Sequence, residues 1–254
     1  MTLPFVHLRL HSEYSLVDGL VKLKSLVSTT AERAMPALAL TDETNLFGLV
    51  KFYKAAQGAG LKPIIGSDLW LQNPHDESHP YRLTLLAMND VGYRNLTELI
   101  SKGWTHGQRQ GRAILDKQWV LEQSEGLIAL SGAREGEIGR HLLSDHEQDA
   151  RVLLEEWQAA FPERFYLELV RTGRPLEEAC VHASVKLAIE TGTPVVATND
   201  VRFLEREDYW AHETRVAIGE GKALDDPRRE RRYTEEQYLK SPDEMAALFA
   251  DIPE

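Results

Sequence analysis

The chain has 254 residues, 29 Lys+Arg against 40 Asp+Glu, and a formal charge of −11. Its 43% hydrophobic and 27% charged composition excludes whole-chain disorder, and no apolar run approaches the ~20 residues of a membrane helix. Met1-Thr2-Leu3-Pro4 lacks a secretory signal's basic and apolar regions, one cysteine fits a reducing cytoplasm, and the acidic balance argues against gripping DNA directly.

Short β-rich runs alternate with longer helical runs. In chain order the pattern predicts a strand over 5–10, a helix over 21–33, a strand over 37–41 and a helix over 46–58. Strands over 62–71 and 82–87 follow, then a helix over 93–103 and a strand over 127–131. A helix over 146–161, a strand over 165–170, a helix over 176–191 and a strand over 195–198 come next. Helices over 209–219 and 242–249 close the series. Most strand runs are continuously apolar, as parallel strands buried on both faces are. Asp90 and Ser241-Pro242 read as helix starts, and Gly58 and Gly192 as left-handed C-caps. Residues 72–80 and 220–232 read as polar loops.

A βα-repeated chain is either a doubly wound sheet or a barrel. No GxGxxG follows the first expected strand, which removes the best signal for a dinucleotide fold. Polar residues cluster after strand ends: His11-Ser12, Asp42-Glu43 and Asn199-Asp200. Sites built from many strand ends favour a barrel. With no linker-like stretch, residues 1–254 are read as one domain.

The most unusual string is His7-Leu8-Arg9-Leu10-His11, followed by Asp18. In a strand, residues 7, 9 and 11 share one face. Two histidines and a nearby Asp can ligate a metal. The simpler reading makes His7 a satisfied core or cap residue and His11 a turn anchor. The remaining inventory suits ion pairs better than metal. Arg9, Arg82 and Arg202 cannot ligate a cation, because a guanidinium stays protonated and has no lone pair to offer. Asp18, Glu43, Asp68 and Asp200 supply carboxylates that guanidiniums can neutralise when buried.

The opening string, with Thr41-Asp42, Gly48-Leu49-Val50-Lys51-Phe52-Tyr53, Lys62-Pro63-Ile64-Ile65-Gly66, residues 89–96, Leu130-Ser131-Gly132 and Ala197-Thr198-Asn199-Asp200, resembles a known family. It is the PHP (polymerase and histidinol phosphatase) domain, in the form found at the N-terminus of bacterial DNA polymerase III alpha subunits. The likeness covers nearly the whole chain and is greatest to the proteobacterial type. Phe249-Ala250-Asp251-Ile252-Pro253-Glu254 resembles a mid-chain sequence of that subunit, so the chain resembles an N-terminal fragment of a longer polymerase. The resemblance implies an α/β fold, a distorted seven-stranded (β/α)7 TIM-like barrel.

The resemblance also implies a ligand set. Metal-binding members hold a trinuclear centre with nine ligands. Carried over, the first two histidines fall on Arg9 and His11, and the next ligand on Asp18. A histidine position falls on Glu43, an acidic one on Asp68 and another histidine on Arg82. A Cys or His position falls on Ala133, and the final Asp-x-His pair on Asp200 and Arg202. His11, Asp18 and Asp200 are kept, Asp68 is a shorter acid, and the other five depart. A site so depleted is expected to hold no cofactor, or at most one weakly bound divalent ion, and to have no catalytic residues. What the resemblance then implies is a pseudoenzyme scaffold that supports the polymerase domains of its own chain and docks the proofreading exonuclease subunit, epsilon. The competing reading is a metal-dependent phosphoesterase or exonuclease with a reduced metal set.

Other motifs carry less. Pro227-Arg228-Arg229-Glu230-Arg231-Arg232 reads as a solvated loop paired with nearby acids. Arg171-Thr172-Gly173-Arg174 is either an anion-binding turn or a βα turn with Gly173 at positive φ. Trp157, Tyr209 and Trp210 read as core, and Cys180 as a small buried hydrophobe. No GxSxG or Walker A motif appears.

Overall fold

A computed structural model describes residues 5–109 and 111–252. The opening Met1–Pro4 and the closing Pro253-Glu254 of the last motif lie outside them. The elements are α1 (Leu23–Glu32), β1 (Ala37–Leu40), α2 (Leu49–Gly58), β2 (Lys62–Leu71), β3 (Tyr81–Ala87), α3 (Asp90–His106), β4 (Gln108–Arg109) and β5 (Arg112–Leu115). They continue as α4 (Lys117–Glu122), β6 (Leu127–Leu130), α5 (Glu137–Leu143), α6 (Glu147–Ala160), β7 (Phe165–Val170), α7 (Glu177–Thr191), β8 (Val195–Thr198), α8 (Tyr209–Gly219) and α9 (Pro242–Leu248). A 3-10 turn, Glu13–Asp18, precedes α1. No helix among the described residues is long and apolar enough to cross a membrane.

The fold is mixed α/β with an eight-stranded sheet, in the order β4-β5-β2-β3-β6-β7-β8, and β1 pairs with β2. The expected parallel pattern holds for β2 with β5 and for β6 with β7. β3 instead runs antiparallel to both β2 and β6. The reason is local: β2 and β3 are joined only by the polar loop 72–80, too short for the crossover that parallel neighbours need.

The described residues form two compact units. One contains residues 5–64, 171–175 and 198–252; the other contains residues 65–170 and 176–197. In the first, α1 and α2 pack through Leu26, Val27, Phe52 and Ala56 beside the fully buried β1. The expected strand over 5–10 is extended but forms no ladder. Ala39 N donates to His7 O and Thr41 N to Leu10 O, both at 2.9 Å, and Leu10 bridges Val201. Leu10's own amide is diverted to Thr41 Oγ1 at 2.8 Å, which interrupts the repeat. His7 is buried and donates Nε2 to Lys240 O at 2.8 Å, the behaviour of a core residue. Burial lowers its pKa to about 4, against the pull of that carbonyl.

The second unit packs α3 against β3, β5 and β6, and α6 against α5. Trp157 on α6 is its largest buried side chain, stacked on Phe165 at 5.8 Å. The hairpin β4–β5 and the short helices α4 and α5 escaped the sequence reading, being too short to show a period. Helix ends differ by small shifts. Asn89 rather than Asp90 caps α3, accepting from Gly92 N at 3.0 Å. The left-handed residue after α2 is Gly60, not Gly58, while Gly192 ends α7 as expected. Ser241 opens α9 with Pro242 in its first turn and Glu244 completing a capping box.

Candidate functional site: a buried arginine–carboxylate cluster

In the first unit, five of the expected site residues meet: Arg9, His11, Asp18, Asp200 and Arg202. Arg202 is the hub. Its Nη1 reaches Oδ2 of Asp18 in a short contact and His11 Nδ1 at 2.9 Å. Its Nε and Nη2 both reach Asp200 Oδ1, at 3.1 and 2.7 Å. Since a guanidinium only donates, Nδ1 of His11 accepts there, which puts the ring proton on Nε2. Arg9 Nε lies 3.4 Å from Asp200 Oδ1.

Two further members of the cluster, Arg174 and Gln237, lie outside the expected ligand positions. Arg174 Nη1 lies 3.4 Å from Asp200 Oδ2 and its Nε donates to Thr172 Oγ1 at 3.1 Å. The 171–174 segment is therefore a turn with Gly173 at φ 76°, whose guanidinium points into the protein. Gln237 Nε2 donates to Asp200 Oδ2 at 2.8 Å. Nothing in a lone Gln on an irregular segment marks it in advance. Asp200 itself has φ 47°, the left-handed region that short polar side chains tolerate.

The electrostatics follow from burial against pairing. Burial raises the Asp200 carboxyl, but Arg202, Arg9 and Arg174 more than reverse this and hold it far below the usual carboxylate range. Burial pulls Arg202 down, and Asp18 and Asp200 outweigh it, so its charge is fixed. His212 of α8 sits with Nε2 3.8 Å from Asp18 Oδ1, where burial lowers it to about 4. Tyr233 is pushed well above its ordinary value by burial and by Asp18.

A second network fixes the turn before α1. Asp42 accepts from Ser12 N at 2.7 Å, from Ser12 Oγ and from Ser15 Oγ at 2.7 Å. Burial still raises its carboxyl, against those hydrogen bonds. The half-buried Glu43 donates its amide to Ser15 Oγ at 3.0 Å.

The second unit holds the remaining expected residues. In the β2–β3 register Asp68 faces Thr84 and Trp70 faces Arg82. Arg82 Nη1 lies 3.1 Å from Asp68 Oδ2, and its guanidinium carbon lies 3.6 Å from the Trp70 ring centroid. The pair is buried, and Arg112 approaches the same ring at 5.4 Å. Ala133 is buried at φ 47°, after Gly132 at φ 79°. A Cβ on Gly132 would lie 2.3 Å from Arg82 O, so this turn presses directly on the Arg82 backbone.

Other sequence candidates resolve simply. Cys180 is buried, and burial pushes its thiol up to about 11. Trp157 and Tyr209 are core, whereas Trp210 is 50% exposed. The arginine run is not uniformly solvated. Arg228 pairs with Asp226 in the open, but Arg229 is buried against Glu213 at 2.8 Å, because its neighbour α8 carries an acid on its inner face.

The PHP domain family model matches residues 7–172. The chain is 59% identical over all its 254 residues to DNA polymerase III subunit alpha of Pseudomonas aeruginosa, covering 22% of that protein. It is 52% identical over 98% of its length to the Escherichia coli K12 subunit, again covering 22%. The chain thus spans about a fifth of the length of these curated relatives. Among solved structures, a metal-dependent phosphoesterase from Bifidobacterium adolescentis aligns with TM-score 0.51 and 13% identity, over 78% of this chain and 87% of that one. An amidohydrolase from Chromobacterium violaceum aligns with TM-score 0.52 and 17% identity over the same shares. At these identities the structural matches speak to fold, whereas the family model spans more than half of the sequence: the chain belongs to the PHP domain family.

Proposed function

We propose that the chain is a catalytically inactive PHP domain, a scaffold within a DNA polymerase III alpha subunit. In this reading it supports the polymerase domains of the same chain and docks the proofreading exonuclease subunit, epsilon. The DNA-directed polymerase activity belongs to the longer chain. The support is one observation: Arg202 ion-pairs with Asp18 and Asp200 and donates to Nδ1 of His11. These are the three positions at which the resemblance to the family carries over an unchanged metal ligand. The donor set does not fit a multinuclear centre. Dications need dense deprotonated ligands, and here a permanent cation already engages them. Without a bound metal, this site lacks the activated water that a metal-dependent phosphoesterase uses as its nucleophile.

A second reading has one observation in its favour. Ligand atoms of His11 and Asp200 lie within 4.8 Å of each other, compatible with a single ion in a reduced site. The discriminating experiment is elemental analysis after incubation with Mn²⁺ or Zn²⁺, paired with p-nitrophenyl phosphate hydrolysis. The scaffold reading expects neither stoichiometric metal nor turnover. Tight metal with hydrolysis abolished by Asp200→Asn overturns it. Docking is tested by titrating the full alpha chain with epsilon; no binding at micromolar concentrations counts against it.

A further inference from the structure

Helix α8 carries apolar side chains on both faces. A surface helix ordinarily buries apolar residues and shows polar ones to water. The buried face of α8 carries His212 and Glu213 beside Tyr209, Val216 and Ala217. Its outer face carries Trp210, Ala211, Thr214 and Ile218, all exposed. Positions 210, 214 and 218 are four apart and so form one row. Ile218 is 75% exposed and stands next to Gly219, which abuts the turn before α1.

That turn extends the apolar surface with Leu16, 60% exposed, and Val17. It is built to stay there. A Cβ on Gly219 would lie 2.4 Å from Val17 Cγ1, so only glycine admits Val17 so close. Arg215 Nε donates to Leu16 O at 2.6 Å. Leu16 is held at φ 58°, ψ −95°, a positive-φ conformation that a leucine rarely adopts. Both elements are rooted in the charged cluster, since Asp18 ends the turn on Arg202 and His212 faces Asp18 from α8. A rigid, contiguous apolar surface of this kind marks an interaction site.

The charges beside it select the occupant. Arg231 stacks on Trp210, its guanidinium carbon 5.6 Å from the ring centroid. Among the described residues, neither Arg231 nor Arg215 makes an ion pair, whereas Arg228, Arg229 and Arg232 of the adjoining loop all do. Two uncompensated guanidiniums flanking an apolar row complement an acidic partner. A second copy is disfavoured by repulsion between chains of charge −11. The Trp210 ring already carries Arg231, and Leu16, Val17 and Ile218 have no π face on which a base could stack, so a protein fits better than a nucleic acid.

We infer that the outer face of α8 and the adjoining turn dock an apolar protein segment bearing acidic residues, with Arg215 and Arg231 at its edges. The inference rests on the scaffold reading and names the surface that scaffold uses. The test introduces Ile218→Asp and Arg231→Glu separately into the full-length alpha chain and titrates each with purified epsilon. Ile218→Asp is expected to weaken binding about tenfold or more and Arg231→Glu about threefold. Thermal midpoint and polymerase activity should stay unchanged, because both side chains are exposed. Full affinity in both variants overturns the surface and leaves the scaffold reading standing. No binding by the unsubstituted chain overturns both. A lowered midpoint with epsilon affinity intact assigns the face to another part of the same chain, and overturns the inference as well.

Discussion

Arg202 places two of its nitrogens on a single oxygen, Oδ1 of Asp200, at 3.1 and 2.7 Å, although the residues are only two positions apart. The left-handed backbone at Asp200 lets the carboxylate turn back toward the guanidinium. A third nitrogen of the same group serves Asp18 and His11.

Arg202→Met should therefore cost far more than a surface arginine would. It leaves Asp18 and Asp200 buried without their main cation, a loss of about 3–5 kcal/mol. Urea unfolding at pH 7 checks this. A change below about 1 kcal/mol would mean that Arg9 and Arg174 suffice.

Stability should fall with pH in a defined window. His7 and His212 are lowered by burial from 6.5 to about 4, so in the folded chain they stay neutral where the unfolded chain binds protons. The folded state loses stability as pH drops from about 6.5, and the loss levels off below about 4. Each ring contributes up to ~3 kcal/mol of that slope. Asp200 adds a second loss at lower pH. Its folded pKa is depressed, so its contribution is full above the ordinary carboxylate range and disappears as pH falls toward the folded value. Urea midpoints between pH 7 and 4.5 give the slope. His212→Phe, which keeps the ring packed against Tyr233, should remove about half of it.

Arg82→Lys retains the charge beside Asp68 but loses the planar stack over Trp70. A cost of about 1–2 kcal/mol is expected, with Trp70 fluorescence shifted. Unchanged stability and emission would show the stack to be incidental.

Cys180 should resist modification. A buried thiol pushed up to about 11 offers almost no thiolate at pH 8, so a disulfide reagent should label it only at the rate of unfolding. Fast labelling of the native protein would contradict its burial.

Much of this architecture was legible beforehand. Long periodic runs such as 146–161 and 176–191 gave α6 and α7 within a residue or two, because their core faces set the period. Arg9, Arg82 and Arg202 could be picked out as charges needing carboxylates, and each is buried near one. The antiparallel β3 was missed although its cause was in the sequence: loop 72–80 is too short for the crossover that a parallel neighbour of β2 needs. Gln237 and His212 were not legible, because their roles come from segments that meet the cluster only in three dimensions. Trp210 misled because α8 carries apolar residues on both faces, so its hydrophobicity does not say which face is buried.

The ties that complete the first unit span most of the sequence. Asp18 waits for Arg202, 184 residues later, and His7 for Lys240, 233 residues later. During synthesis the early charges near Arg9 thus remain hydrated until residues 200–240 have left the ribosome. The second unit, nearly continuous over 65–170, carries no such delay. Domains form as units as the chain emerges, and distant pairings come last. A nascent chain stalled before residue 202 would hold its middle folded and its beginning open, exposed to chaperones and proteases.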